Sequence, residues 1–421
     1  MERVNEIIAL LEDGQQEKAL KYYNEIVKNG SNEERFVLGE ELFQLGFLEE
    51  AKQLFQLLLK AYPEEGELLV LLAEAEMELG NEGEAISILE KINPQDASFP
   101  QALLLLADLY QMDGLFEVSE QKLLQAKKIL PEEVIIDFAL GELYSEQGRI
   151  FDAINAYKVV LPVETVIGGV NVNGRIADNL SAGGAFEEAV AYYEKALTEK
   201  VEINTLFNFG LTALQAGLTQ TAIHQLKEVK TLDPSFHSLY LYLAKAYERE
   251  EMLKEAYDEV VDGIKQDEFN KDLYLYGGKL ALKLADENKA EQQFREALAI
   301  DPEFTEAVLV LNKLFLTQDR FDDVMELIEL MDQQDIEEPQ FHWDAAKSLH
   351  GLEKYSEALN KYHLAYTYFK ELPEFLYDYG YFLLEEGKRK EAAEIFNKLL
   401  ETDPSNAEYM EILEQLTDEP I

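Results

Sequence analysis

Alanine recurs along this chain at a nearly fixed interval, and that interval constrains the fold more than any other feature. The column reads Ala19, Ala51, Ala85, Ser119, Ala153, Ala189, Ala222, Ala256, Ala290, Val324, Ala358 and Ala392. Eight of its eleven intervals are 34 residues, and the others are 32, 36 and 33. Three stretches align through it without gaps: "LFNFGLTALQAGLTQTAIHQLKEVKTLDP" at 206–234, "YLYGGKLALKLADENKAEQQFREALAIDP" at 274–302 and "LYDYGYFLLEEGKRKEAAEIFNKLLETDP" at 376–404. A fixed period of this size means stacked copies of one supersecondary unit, not a set of unrelated globular domains.

Within each repeat, positions are numbered so that the column residue stands at 20. Position 8 is small in most repeats: Gly39, Ala73, Ala107, Gly141, Ala177, Gly210, Ala244, Gly278, Ala346 and Gly380. Positions 8 and 20 are expected to face each other where two helices cross, since only small side chains allow that approach. Larger residues at 4, 7, 11 and 24, such as Leu376, Tyr379, Leu383 and Phe396, are expected to fill the surrounding space. Proline at 32 (Pro63, Pro131, Pro234, Pro302, Pro404) separates one repeat from the next. Repeat 10 departs, with Asn312 at 8 and Val324 at 20. After Pro404, Ser405 and Glu408 have capping-box spacing, and Tyr409, Ile412, Leu413 and Leu416 share one face of a closing helix.

Two amphipathic helices per 34 residues resemble the tetratricopeptide repeat (TPR), and the resemblance covers essentially the whole chain. More finely, the chain looks like the long cytoplasmic TPR-repeat proteins of Gram-positive bacteria. The resemblance implies an all-α fold, a right-handed α-α superhelix of about twelve helix pairs with a C-terminal capping helix.

One stretch interrupts the pattern. "TVIGGVNVNGRIADNLSAGG", 165–184, coincides with the 36-residue interval. Pro162 ends a helix early, and β-branched residues around Gly168-Gly169 disfavour another. The next helix is expected to start near Asn171 or Asn173 and to end by Gly183-Gly184. The expected organisation is an array of repeats 1–5 (1–162), an irregular joint or hinge (163–174), an array of repeats 6–12 (175–404), and a capping helix with its tail (405–421). Gly169 and Gly174 have phosphate-loop spacing, but Arg175-Ile176 stand where Lys-Ser/Thr should follow, and no βαβ context surrounds them. No nucleotide site is expected.

Composition excludes several functions. The net charge is −47, with 16 basic and 39 acidic residues over 1–202 against 21 and 45 beyond. Such a chain repels nucleic acid and anionic membranes. Cysteine is absent, and the five histidines form no ligand pair. No nucleophile motif is present. No enzyme activity, metal or cofactor is expected. The acidic start lacks the basic end and apolar run of a signal peptide, and no stretch is apolar enough to cross a bilayer, so a soluble cytoplasmic protein is expected.

The resemblance implies that first helices line a concave groove, with positions 2, 5, 6, 9 and 13 pointing into it. Position 9 reads Glu40, Glu74, Asp108, Glu142 and Asp178, then Leu211, then Lys245, Lys279, Lys313 and Lys347, then Tyr381. Arg249 and Lys283 lie one turn beyond two of these lysines. A bipolar groove would take acidic segments on the lysines and basic ones on the acids. The competing reading pairs Lys245, Lys279 and Lys347 with Asp272, Glu306 and Glu374 at position 2 of the following repeats. Position 5 carries Phe36, Phe138, Phe207, Trp343 and Tyr377; packing is the ordinary role of such a stripe, and Trp343 is a candidate interface anchor. Asn171 and Asn204 stand at expected helix starts as N-caps, while Asn208 at position 6 is a groove candidate. The lysine and asparagine pattern of TPR clamps for a C-terminal carboxylate is missing.

The expected function is a non-catalytic scaffold or assembly adaptor that binds a partner peptide or helix in the groove. The alternative is a TPR regulator switched by a small peptide. Such regulators usually carry an N-terminal DNA-binding or effector module, whereas repeats here begin within the first residues.

Overall fold

The computed structural model describes residues 1–418, so the last three residues of the 405–421 segment lie outside the described residues. Helix pairs follow the alanine column from Glu2–Glu12 with Gln16–Asn29 to Pro373–Glu385 with Arg389–Thr402, twelve pairs in all. A further helix, Ala407–Asp418, follows the last pair. The architecture is all-α, as the repeat demands. All twelve column residues are at most 1% exposed, including Ser119 and Val324. Leu376, Tyr379, Leu383 and Phe396 are likewise buried.

In four repeats the glycine at position 8 faces a large ring on the second helix. A β-carbon on Gly39, Gly141, Gly278 or Gly380 would meet the ring of Phe55, Tyr157, Phe294 or Phe396, in that order. Each ring stands at position 24, one helical turn beyond the column alanine. In these four repeats the glycine at position 8 leaves room for an aromatic ring.

Each first helix ends at a tight turn. Position 15 has a left-handed backbone in every repeat, occupied by glycine in repeats 1–7 and 12. Repeats 8–11 place Glu251, Ala285, Asp319 and Glu353 there, with φ of 56–59°. The following amide closes the turn onto the carbonyl five residues back, as in Leu115 N to Tyr110 O at 2.8 Å and Asp286 N to Ala281 O at 2.9 Å. This is the C-terminal cap that favours a left-handed residue.

The interrupting stretch forms a hairpin. Val166–Ile167 and Val170–Asn171 pair antiparallel, with Val166 opposite Asn171. Gly168 and Gly169 make the two-residue turn, with φ of 56° and 83°. Positive φ at both positions is what such a turn requires. Asn171 Oδ1 then accepts from Gly174 N at 3.2 Å and caps the helix Val172–Ala182. Asn204 does not cap: the helix Ile203–Gln215 starts before it and lacks a side-chain cap. At the C-terminus, Asn406 takes the role expected of Ser405, since its Oδ1 accepts from the amides of Glu408 and Tyr409. Ser405 bonds back to Asp403 instead.

The chain forms two compact bodies, Met1–Ala216 and Gly217–Ile421. The hairpin lies inside the first. One core cluster of that body runs from Val4 through Leu109. The second contains one core cluster around Phe294, Leu311 and Phe315 and another around Tyr362, Phe375 and Phe396.

Candidate functional site

In the second body, the lysines project from successive first helices: Leu239–Arg249, Lys271–Lys283, Thr305–Thr317 and Pro339–Gly351. Three of the four are engaged, each differently. Lys245 Nζ lies 5.3 Å from the ring centre of Tyr242 and 6.0 Å from that of Tyr276. Lys279 pairs with Glu306. Lys347 Nζ is 2.9 Å from Asp378 Oδ2 and 5.8 Å from the Trp343 ring centre. Of the three position-2 pairings, only Lys279 with Glu306 forms among the described residues. Lys347 is reached first by Asp378, at position 6 of the next repeat, and not by Glu374. Lys313 is exposed and has no hydrogen bond, ion pair or ring contact among the described residues. Lys283 binds Glu248 at 2.6 Å. Arg249 ends the first helix of repeat 8, where a cation suits the helix dipole.

Lys313 and Lys347 border a cavity of about 590 Å³ between the first helices of repeats 10 and 11. Its other lining residues are Leu309, Val310, Leu316, Thr317, Gln340, Trp343 and Asp344. That volume suits a large side chain or a short segment. Trp343 is held in place: its ring packs edge-on against Phe375, 5.4 Å between centres, and its Nε1 donates to Asp378 Oδ2 at 3.1 Å. Trp343 thus packs on Phe375 and also lines the cavity.

Asp344, at position 6 of repeat 11, was not singled out by the sequence. It is only 5% exposed. Gln340 Nε2 donates to its Oδ1 at 2.8 Å, and Asn312 Nδ2 to its Oδ2 at 3.2 Å. Burial raises its pKa against the pull of these donors and of Lys347. Asn312 Oδ1 itself lacks a partner among the described residues. The departure at position 8 of repeat 10 thus serves a polar link to the next repeat.

The acidic column belongs to the first body and is graded. Glu142 accepts from Tyr157 Oη at 2.5 Å and pairs with Arg175 at 2.9 Å. Asp178 accepts from Tyr193 Oη at 2.7 Å and from Asn208 Nδ2 at 3.1 Å. The groove candidate Asn208 is therefore already engaged. Glu74 accepts from Gln101 at 3.2 Å, while the Glu40 and Asp108 carboxylates have no partner among the described residues. Desolvation raises the pKa of Glu40, Glu74 and Asp108. Among the position-5 aromatics, Phe36 packs on the core, Phe138 meets Tyr157 at 5.8 Å, and Phe207 is half-buried. Tyr377 is 38% exposed and meets Tyr381 at 4.6 Å.

No described helix is long and apolar enough to cross a membrane. Among the described residues no group of three or more His, Asp or Glu could hold a metal ion.

Comparison with known proteins agrees with the repeat. A family model described as YpiA-like tetratricopeptide repeats matches residues 111–165, and one for YpiA-like C-terminal tetratricopeptide repeats matches 339–406. General tetratricopeptide-repeat models match 42–109, 170–200 and 273–304. The TPR repeat-containing protein YpiA of Bacillus subtilis (strain 168) is 43% identical over 416 residues, covering 99% of this chain and 98% of that protein. The Protein CTR9 homolog of Arabidopsis thaliana is 25% identical over 308 residues, which is 68% of this chain but 28% of that protein. A solved C-terminal part of a TPR repeat-containing protein from Cytophaga hutchinsonii is similar over 56% of this chain and 96% of its own, at 18% identity and a TM-score of 0.49. With 43% identity to YpiA over nearly its full length, the chain belongs to the YpiA-like tetratricopeptide-repeat proteins.

Proposed function

We propose that the protein is a non-catalytic cytoplasmic scaffold or assembly adaptor that holds a segment of a partner protein along its first helices. The observation that carries this reading is the cavity of about 590 Å³ between the first helices of repeats 10 and 11. It combines apolar walls, a lysine without an ion pair among the described residues, and a fixed tryptophan, a residue type enriched at protein-binding hot spots. The unpaired Glu40 and Asp108 carboxylates in the first body support a second contact region, for basic segments. Segment 163–174 is proposed as the joint between the arrays at 1–162 and 175–404.

Affinity capture from native cytosol tests the reading. Wild type is compared with Lys245→Glu, Lys279→Glu, Lys313→Glu and Lys347→Glu combined. A control reverses Lys227, Lys254, Lys370 and Lys390, which are exposed and lie off the first helices. Both variants carry the same net charge, and circular dichroism establishes that each is folded. A partner kept by the control and lost by the first-helix variant supports the reading. A partner kept by both variants contradicts it.

A further inference from the structure

Among the described residues Lys313 is left without a counter-charge, for a reason visible in the next repeat. Position 2 is acidic in repeats 9, 10 and 12, as Asp272, Glu306 and Glu374, but is Gln340 in repeat 11. Lys279 uses the acid at that position. Lys347 uses Asp378, at position 6 of repeat 12. The matching residue for Lys313 is Asp344, and it is withdrawn beneath the surface, where Gln340 and Asn312 occupy its two oxygens. A cation thus stands free at the edge of an apolar cavity, in a chain whose net charge is −47.

We infer that this cavity is an anchor pocket for a partner segment carrying a large apolar side chain beside a carboxylate. The apolar group enters between Leu309, Val310, Leu316 and Trp343, and the carboxylate accepts from Lys313 Nζ. The proposal rests on the groove reading and specifies its ligand. Charge complementarity selects the occupant. A basic segment would meet Lys313 and Lys347, and a neutral one would leave Lys313 unpaired. A carboxylate placed there gains a charge-assisted hydrogen bond. The acidic remainder of the chain repels a carboxylate wherever no local cation meets it, so the position of the acid in the segment is specified as well as its sign.

Selection from a displayed library of random peptides on the full chain provides the test, with Lys313→Gln as the comparison protein. Lys313 is exposed, so this change leaves the fold intact. Trp343 is the only tryptophan and lines the cavity, so its emission reports occupancy by tryptophan-free peptides. Selected peptides are expected to place Asp or Glu within two residues of a large apolar residue. They should shift Trp343 emission and bind Lys313→Gln about tenfold more weakly. Peptides that shift the emission but lack an acid, or that bind Lys313→Gln equally well, overturn the anchor and leave the groove reading standing. Peptides that bind without moving the emission and ignore every first-helix substitution overturn both. An empty selection overturns the anchor.

Discussion

The ring of Phe294 fills the space that a β-carbon on Gly278 would occupy. Both residues lie in repeat 9, at positions 8 and 24, and the relationship recurs for Gly39 with Phe55 and Gly141 with Tyr157. Gly278→Ala should therefore destabilise the second body by about 1–3 kcal/mol, the usual cost of overpacking. Adding Phe294→Leu should cost less in that background than in wild type, because the smaller side chain relieves the clash that the alanine introduces. Gly83→Ala is the control, since nothing lies within 4 Å of its β-carbon and its φ is not positive. It should be neutral or stabilising by up to about 1 kcal/mol. Urea midpoints read all four variants, Phe294→Leu alone included, without assuming that a repeat array unfolds in one step.

Position 15 offers the opposite experiment. Ala285 has φ 58° where most repeats have glycine. The left-handed backbone costs an ordinary residue about 1–2 kcal/mol, partly offset by glycine's larger entropy when unfolded. Ala285→Gly should thus stabilise the second body by roughly 1 kcal/mol. Gly114→Ala, where nothing lies within 4 Å of the β-carbon, should destabilise the first body by a similar amount. An unchanged urea midpoint for both would show that backbone strain at this turn is not felt.

The acidic column predicts a pH dependence. Desolvation holds the Glu74 carboxyl above its ordinary value, so the folded chain favours the protonated form. Between the ordinary and the raised value the folded state binds more protons than the unfolded one. Stability attributable to this group falls as pH rises through that window and stays lower above it. Glu74→Gln keeps an oxygen for Gln101 and removes the charge. It should be more stable than wild type near neutral pH. That advantage should vanish as the pH drops below the ordinary carboxylate value, about 4.3. Urea midpoints across this range check the sign, and an advantage that grows on acidification would contradict it.

The helix pairs were legible because the alanine column is read by burial alone: every column residue is inaccessible. Two glycine patterns were equally visible in the chain, yet their reasons were not drawn from it. The series Gly14, Gly46, Gly80, Gly114, Gly148, Gly184, Gly217 and Gly387 marks the turn. Glu251, Ala285, Asp319 and Glu353 break that series, and the hydrogen bond from the next amide to the carbonyl five residues back accompanies the same conformation despite their propensity. Gly168-Gly169 flanked by Val166-Ile167 and Val170 is a hairpin signal in its own right. Lysine pairing was not legible. Whether Lys347 finds Glu374 or Asp378 depends on which acid of the next repeat lies within one side-chain length. Asp344 was missed because its burial follows from Asn312, an exception in a neighbouring repeat.

The absence of cysteine makes the central claim directly measurable. Single cysteines at Lys279, Lys313 and Tyr377 on the first helices, and at Lys227, Lys254 and Lys390 on the second, can each carry one photo-crosslinker. The partner captured from cytosol should crosslink from the first-helix positions, most strongly from Lys313, and not from the second. Crosslinking confined to the second-helix positions would show that the partner binds the opposite faces and would contradict a groove along the first helices.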